Sequence, residues 1–455
     1  MPEISAGAQV FDLAFHPTHS TVYTGLLTGH VRAFAYNDQG HSKRTFSVRP
    51  SKRSCRAICL DHDGSHLYAV GKSKALNIID TITEAVEIRA GAHDSAINRI
   101  KYIMPSLLCT GDDDGIIKVP SQLSIAVLAR DHICQLWDPR QKECIRKYSH
   151  HFDYITDFLW LEDKKHLVAT SGDGTLSVMD VRSKKTEPFA QSEDQEDELL
   201  SIVSIKRASK VVVGTQIGVL SIFNRSAGWG DCVDRIPGHP HSVDALCTLP
   251  PELSGVDTTS TILTGSSDGY VRAIEILPTK LLGVVADHGD WPVERIAIGC
   301  GTDQLTFDAP EVDKNGTNVD KKNDHDNVED MGKPWTRWWV GSVGHEETLR
   351  LTDLEAFFHE ASKDERKDVQ EIMDTDEEHR EVEDAKGDDD ASEQSNDDGP
   401  TVEEQDQSDR DEESDAEEAP NGKKRKRKPE KNALAVNKKG KNAVDVFEVT
   451  FFDDL

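Results

Sequence analysis

Short segments in which apolar and polar residues alternate recur along roughly the first 360 residues, each bounded by Gly/Asp turns. The clearest unit runs from Gly238 to Ile276. It opens Gly-His, places Val243 four residues after His239, and reads Leu-Thr-Gly-Ser-Ser-Asp-Gly before a second alternating run. The scheme returns at His151, Ile155 and Asp173-Gly174, and again at His93, Ile97 and Asp114-Gly115. Weaker copies cover 10–36, 55–80 and 198–224. A last copy is split by a polar insertion at 303–334, between VERIAIGC (293–300) and TRWWVGSVGHEETLRLTDL (336–354). Alternation of period two predicts half-buried strands, and a repeat of about 40 residues predicts seven stacked units rather than independent domains. The expectation is one all-β domain over 1–358.

These marks resemble the WD40 repeat, which implies a seven-bladed WD40 β-propeller with four strands per blade. In such blades a His, a strand Ser/Thr, a turn Asp and a Trp indole form a buried network, because buried polar groups need partners. The third unit offers all four as His93, Thr110, Asp114 and Trp137. The sixth offers His239, Thr264 and Asp268, with Ile274 where Trp belongs. The fourth has His151 and Asp173, with Ala169 and Met179 in the other two places. This structural reading of the His/Asp pairs displaces a catalytic one. The runs GDDDG and DHDG lack the further oxygen ligands and final Glu of an EF-hand loop. No catalytic, metal or cofactor residue is assigned, and the chain is read as a non-enzyme.

The third unit is interrupted. Asp268 precedes Ile274 by six residues and Asp173 precedes Met179 by six, but Asp114 precedes Trp137 by 23. Removing Val119–Gln135, 17 residues, restores the spacing and gives GDDDGIIKLWDPR. An insertion inside a strand is a poor place for a binding loop, since insertions are tolerated at turns. Every Val codon begins GT and one Gln codon is CAG, so the segment reads as a retained 51-nucleotide intron. If present, it should leave the blade between Lys118 and Leu136.

Charge changes the picture past residue 358. The chain carries −30 overall, and residues 361–420 contribute 27 Asp/Glu against 6 Lys/Arg. The apolar content of the whole chain is only 36 %, and this low-complexity acidic stretch (359–420) is expected to be disordered. Thr375, Ser395, Ser408 and Ser414 there precede acidic residues, as acid-directed kinases favour. Residues 421–455 are basic and open on Lys423, Lys424, Arg425, Lys426, Arg427 and Lys428, read as a nuclear import signal or an RNA contact. Phe447, Phe451, Phe452 and Leu455 form an apolar terminal segment suited to docking, on a partner or on the chain's own propeller. No apolar run approaches bilayer length, no secretory signal is visible, and the eight cysteines have no metal-ligand spacing. The expectation is an intracellular, soluble protein without membrane contact.

The whole set is similar to the WD repeat-containing protein 55 family. The residues that carry this are the strand Val10–Pro17, Thr110–Lys118 with Leu136–Arg140, Trp338–Glu347, the acidic tail, the Lys/Arg cluster and the terminal Phe-Phe-x-Asp-Leu. The resemblance implies a nuclear, nucleolar scaffold for pre-rRNA processing and large-subunit assembly, with pre-ribosomal proteins and pre-rRNA particles as partners. A monomer entering larger assemblies is expected. An alternative comes from Trp137-Asp138-Pro139-Arg140 and Met179-Asp180-Val181-Arg182, which resemble the Trp-Asp-x-Arg signature of cullin-RING ligase substrate receptors. Arg140 and Arg182 would then contact the ligase adaptor. A histone-binding propeller is a third reading, suggested by the acidic tail.

Overall fold

Alternation along the chain resolves, in the computed structural model, into seven four-stranded antiparallel sheets. Described residues are 2–120 apart from 38 and 106, 144–301 apart from 184, and 337–361. The chain divides into two units, residues 1–371 and 372–455, and all described residues belong to the first. None of their helices is long and apolar enough to cross a membrane.

Each sheet is one blade. The first strands of the seven blades are Val10–Phe15, Cys55–Leu60, Ile97–Met104, Ile155–Leu161, Leu199–Ile205, Val243–Thr248 and Val293–Gly301. Each contacts the next, and the last contacts the first, so these strands ring the axis of a seven-bladed β-propeller. Closure is made by the N-terminus. Glu3–Ser5 is the outer strand of the seventh blade, pairing Glu3 with Arg350, Ile4 with Leu349 and Ser5 with Thr348. This leaves no open sheet edge between first and last blade.

The core is divided in the same way. Seven apolar clusters fill the seven blade junctions, from Tyr23, Val31, Phe46 and Ile58 between blades 1 and 2 to Val10, Phe34, Trp339 and Leu351 between blades 7 and 1. Residues 354–361 form a helix that buries Leu354 and Phe358 against blades 6 and 7.

One irregularity repeats in all seven inner strands. The register shifts after the first paired residue, at Val10/Asp12, Cys55/Ala57, Ile97/Arg99, Ile155/Asp157, Leu199/Ser201, Val243/Ala245 and Val293/Arg295. A bulge bends the strand and re-aims the residue after it. In blades 1, 3, 4, 5 and 6 the turns behind the second strands use Gly where φ is positive, and in blade 2 Lys74 takes that conformation. At Gly269 (φ +87°) an added Cβ would stand 2.0 Å from the Gly289 carbonyl oxygen.

Of the insertion in the third blade only Val119 and Pro120 are among the described residues, and they continue the strand. The strand does not leave at Lys118. Ile117–Pro120 pairs with Cys144–Tyr148, Val119 opposite Arg146 and Pro120 opposite Cys144. Val119 is buried between blades 3 and 4, five residues after Asp114, where the regular spacing puts Leu136. A β-branched apolar residue suits that place, and Pro120 then removes a ladder N–H. Residues 121–143, with Trp137 and Arg140, lie outside the described residues, as do 302–336 and 362–455.

Candidate functional site

Buried histidines stand at the entry to four blades, and each differs. In the third, His93 Nε2 is 2.7 Å from Thr110 Oγ1 and Nδ1 is 2.7 Å from Asp112 Oδ2. The carboxylate is thus Asp112, not the expected Asp114. Asp112 sits on the strand, where blades 4 and 6 carry Ser171 and Ser266, and reaches the ring directly. Asp114 stays exposed in the turn and its N–H donates to Asp112 Oδ1 at 3.2 Å.

In the fourth blade His151 Nδ1 meets Asp173 Oδ2 at 2.9 Å and Nε2 meets Ser177 Oγ at 2.7 Å. Ser177 faces Ala169 across the ladder, so the hydroxyl has moved one strand outward. Burial alone would raise the Asp173 carboxyl, but bonds from His151, Thr175 and the Phe152 N–H hold it well below the usual range.

The sixth blade is incomplete. His239 Nε2 is 2.9 Å from Thr264 Oγ1, while Nδ1 has no hydrogen-bond partner among the described residues. Arg272 binds Asp268 at 2.6 and 3.1 Å. Burial, and then Arg272, lower the His239 pKa.

The seventh blade holds a network the sequence reading missed: His288 bonds Ser342 Oγ at 2.8 Å and Glu346 Oε1 at 2.6 Å. In the other three blades an apolar strand residue follows the His by four. Here Val293 follows by five, because Pro292 extends the loop. Asp-His-Gly was the available signal. These triads have the groups of a hydrolase site, but His93, Thr110, Ser177, His288 and Ser342 are sealed inside their blades. Their work is to satisfy one another and fix the loops.

The loops preceding each inner strand and those joining second to third strands form one face, here the upper face, and toward that end of the ring the inner strands carry a buried charged cluster. The residues after the bulges place Asp12, Arg99, Asp157 and Arg295 on the inner strands of blades 1, 3, 4 and 7. Arg99 binds Asp157 at 2.7 Å and stands 4.0 Å from Asp12. Burial pushes the Asp12 pKa up despite Arg99. Burial would raise Asp157 too, but Arg99, Lys101 and Arg295 outweigh it and lower the pKa. Arg56 adds bonds to Asn98 (2.6 Å) and Asp113 (3.0 Å).

Around this mouth the charge is uneven. Arg49, Lys52, Arg53 and Lys74 are exposed on the loops of blades 1 and 2, whereas Glu193, Asp194 and Glu196 are exposed before the inner strand of blade 5, Asp287 at the end of the outer strand of blade 6, and Asp290 and Glu347 on blade 7. Phe152 on blade 4, Ile217 on blade 5 and Trp291 on blade 7 are 93 %, 67 % and 51 % exposed. Such a surface offers separate ground for acidic and for basic partners.

Among the described residues no group of three His, Cys, Asp or Glu could hold a metal. Burial pushes the thiols of Cys55, Cys59 and Cys109 up, and that of Cys247 to about 12, so none is poised as a thiolate. Arg182 is exposed, but its guanidinium donates through Nε and Nη2 to the two carboxylate oxygens of Asp180, each at 3.0 Å. The cluster Lys423–Lys428 and the segment with Phe447, Phe451, Phe452 and Leu455 lie outside the described residues.

The family model described as WDR55 matches residues 1–306. The WD repeat-containing protein JIP5 of Laccaria bicolor is 57 % identical over 497 aligned residues, covering 100 % of both chains. The WD repeat-containing protein 55 of Arabidopsis thaliana is 34 % identical over 65 % of this chain and 76 % of its own. That of Rattus norvegicus is 33 % identical over 66 % and 71 %.

Proposed function

The chain belongs to the WDR55 family, and from that membership we propose that it is a non-enzymatic WD40 scaffold of nucleolar ribosome biogenesis. It acts in pre-rRNA processing and large-subunit assembly by holding partners on its upper face. The observation that carries the scaffold reading is the division of polar groups. Those with catalytic potential are sealed within blades, and those left accessible are two opposed charge fields around the axis. A ring with such a face suits the holding of partners.

The two fields suit the two components of a pre-ribosomal particle. Basic loops on blades 1 and 2 attract RNA phosphates, and the acidic side attracts basic ribosomal proteins. The acidic run at 361–420 strengthens the second attraction, and Lys423–Lys428 serves nuclear import. Depletion of the protein, followed by pre-rRNA blotting and ribosome profiles on gradients, tests the reading. Accumulation of large-subunit precursors and a deficit of free large subunits is expected. Unaltered processing with a normal subunit ratio would refute it.

A further inference from the structure

Two strongly exposed apolar side chains stand on the upper loops of neighbouring blades. Phe152, 93 % exposed, is on the loop entering blade 4, and Ile217, 67 % exposed, is on the second-to-third-strand turn of blade 5. Hydrogen bonds join the ground between them into one surface. The Phe152 N–H donates to Asp173 Oδ2 at 2.9 Å. Gly174, the next residue, lies so near the entry loop of blade 5 that an added Cβ would meet Asp194 Oδ1 at 2.5 Å. Its carbonyl accepts from the Gln195 N–H at 3.0 Å. Asp197, further along that loop, accepts from the Ile217 N–H at 3.1 Å. Tyr154 Oη donates to Glu198 Oε2 at 2.6 Å and links the two entry loops directly. Each apolar residue is thus held through its own N–H by an aspartate, and a surface fixed in advance binds at a lower ordering cost.

The charge of this surface has one sign. Residues 149–154, 171–176, 192–198 and 215–218, the upper loops of blades 4 and 5, hold seven Asp/Glu and no Lys/Arg. The lower loops of the same blades differ: Asp163 pairs with Arg225 at 2.9 Å and Asp180 with Arg182 at 3.0 Å. Carboxylates gathered without a cation among them repel one another and draw in a cationic partner. The exposed Phe ring and Ile side chain gain by leaving water. We propose that the upper loops of blades 4 and 5 are a docking surface for a Lys/Arg-rich segment of a partner protein that carries apolar side chains of its own. Its apolar residues cover Phe152 and Ile217, and its cations lie on Glu193, Asp194 and Glu196, all three exposed. Nucleic acid is repelled here, and a purely cationic chain leaves both apolar residues in water. The surface therefore selects for the two properties in one segment.

This inference rests on the reading above, in which basic ribosomal proteins meet the acidic side, and the test separates the two. Purified full-length protein is titrated at one salt concentration with three short fluorescent peptides. One combines lysines and arginines with two leucines, one keeps that charge with serines for the leucines, and one combines glutamates with two leucines. The first should bind roughly 10-fold tighter than the second, from burial of the leucines, and the third should not bind. Phe152→Ala and Ile217→Ala remove exposed groups and leave the core intact. Each should weaken the first peptide roughly 5- to 30-fold, the effect of an interface anchor, and leave the second unchanged. The triple variant Glu193→Gln, Asp194→Asn, Glu196→Gln should weaken both cationic peptides and flatten their salt dependence. Phe189→Ala, which removes another ring of blade 4 that is 65 % exposed, should change nothing. Equal affinity for the two cationic peptides, binding unmoved by both Phe152→Ala and Ile217→Ala, or capture of the glutamate peptide would overturn the site. A rise in affinity with alanine at Lys423–Lys428 would overturn it too, by giving the surface to this chain's own basic cluster. Selective binding with normal pre-rRNA processing on depletion would sink the biogenesis reading and leave the docking surface standing.

Discussion

Ala169 and Ser177 face each other across two strands of the fourth blade, and the hydroxyl that His151 binds is on the second of them. In blades 3 and 6 the corresponding hydroxyls, Thr110 and Thr264, are on the strand that Ala169 occupies. Ser177→Ala should leave a buried ring nitrogen unmet and cost about 1–3 kcal/mol. Ala169→Thr in that background should recover part of the loss. Denaturant unfolding of the purified proteins measures both, and an unchanged midpoint for the single variant would show that His151 does not depend on Ser177.

Asp157 neutralises Arg99 inside the ring of inner strands. Asp157→Asn should destabilise by about 3–5 kcal/mol, since removing one partner strands a buried charge. Replacing both, Arg99→Met with Asp157→Leu, should cost far less than the single change. Two additive losses in a double-mutant cycle would argue against coupling.

Ring closure depends on the N-terminal strand. Ile4 is buried against Phe34, Leu349 and Leu351 between the last and first blades. Ile4→Ala should cost about 2–5 kcal/mol and lower the midpoint of thermal unfolding. Retention of the wild-type midpoint would mean that the strand Glu3–Ser5 is dispensable.

Burial, then His151, lowers the His150 pKa to about 4, and burial also lowers His239 and His288. A histidine whose folded pKa lies below its unfolded value binds a proton first in the unfolded chain. Its contribution is present above about pH 6.5 and is lost as pH falls toward the folded value. His345, raised by Glu294, acts in the opposite sense. Stability should therefore decline between pH 7 and pH 5, and His150→Gln should flatten that slope. A slope as steep in the variant as in the wild type would assign the pH dependence elsewhere.

The spacing argument for residues 119–135 predicts a spliced transcript lacking 51 nucleotides, in which Leu136 and Trp137 follow Lys118. Sequencing of cDNA reads this directly. Transcripts that all keep the segment would make it part of the protein.

Blade number and three of the four blade histidines were legible, because alternation and the His-to-apolar spacing are local signals. What failed was set by register. Three successive aspartates, Asp112 to Asp114, look equivalent in sequence, and only the ladder puts Asp112 beside His93. Ser177 is eight residues from Ala169 and becomes its substitute only by facing it. His288 was hidden by one extra loop residue. Asp12, Arg99, Asp157 and Arg295 each read as a single polar residue in an apolar run. Their association comes from ring closure, which brings residues as far apart as Asp12 and Arg99 within 4.0 Å.

Purification of the tagged protein from nuclear extract, with co-purifying RNA and proteins identified, tests the central claim most directly. The account predicts large-subunit assembly factors together with their precursor rRNA. Recovery of a cullin and its adaptor without pre-rRNA would contradict it and return weight to the Trp-Asp-x-Arg motifs at Arg140 and Arg182.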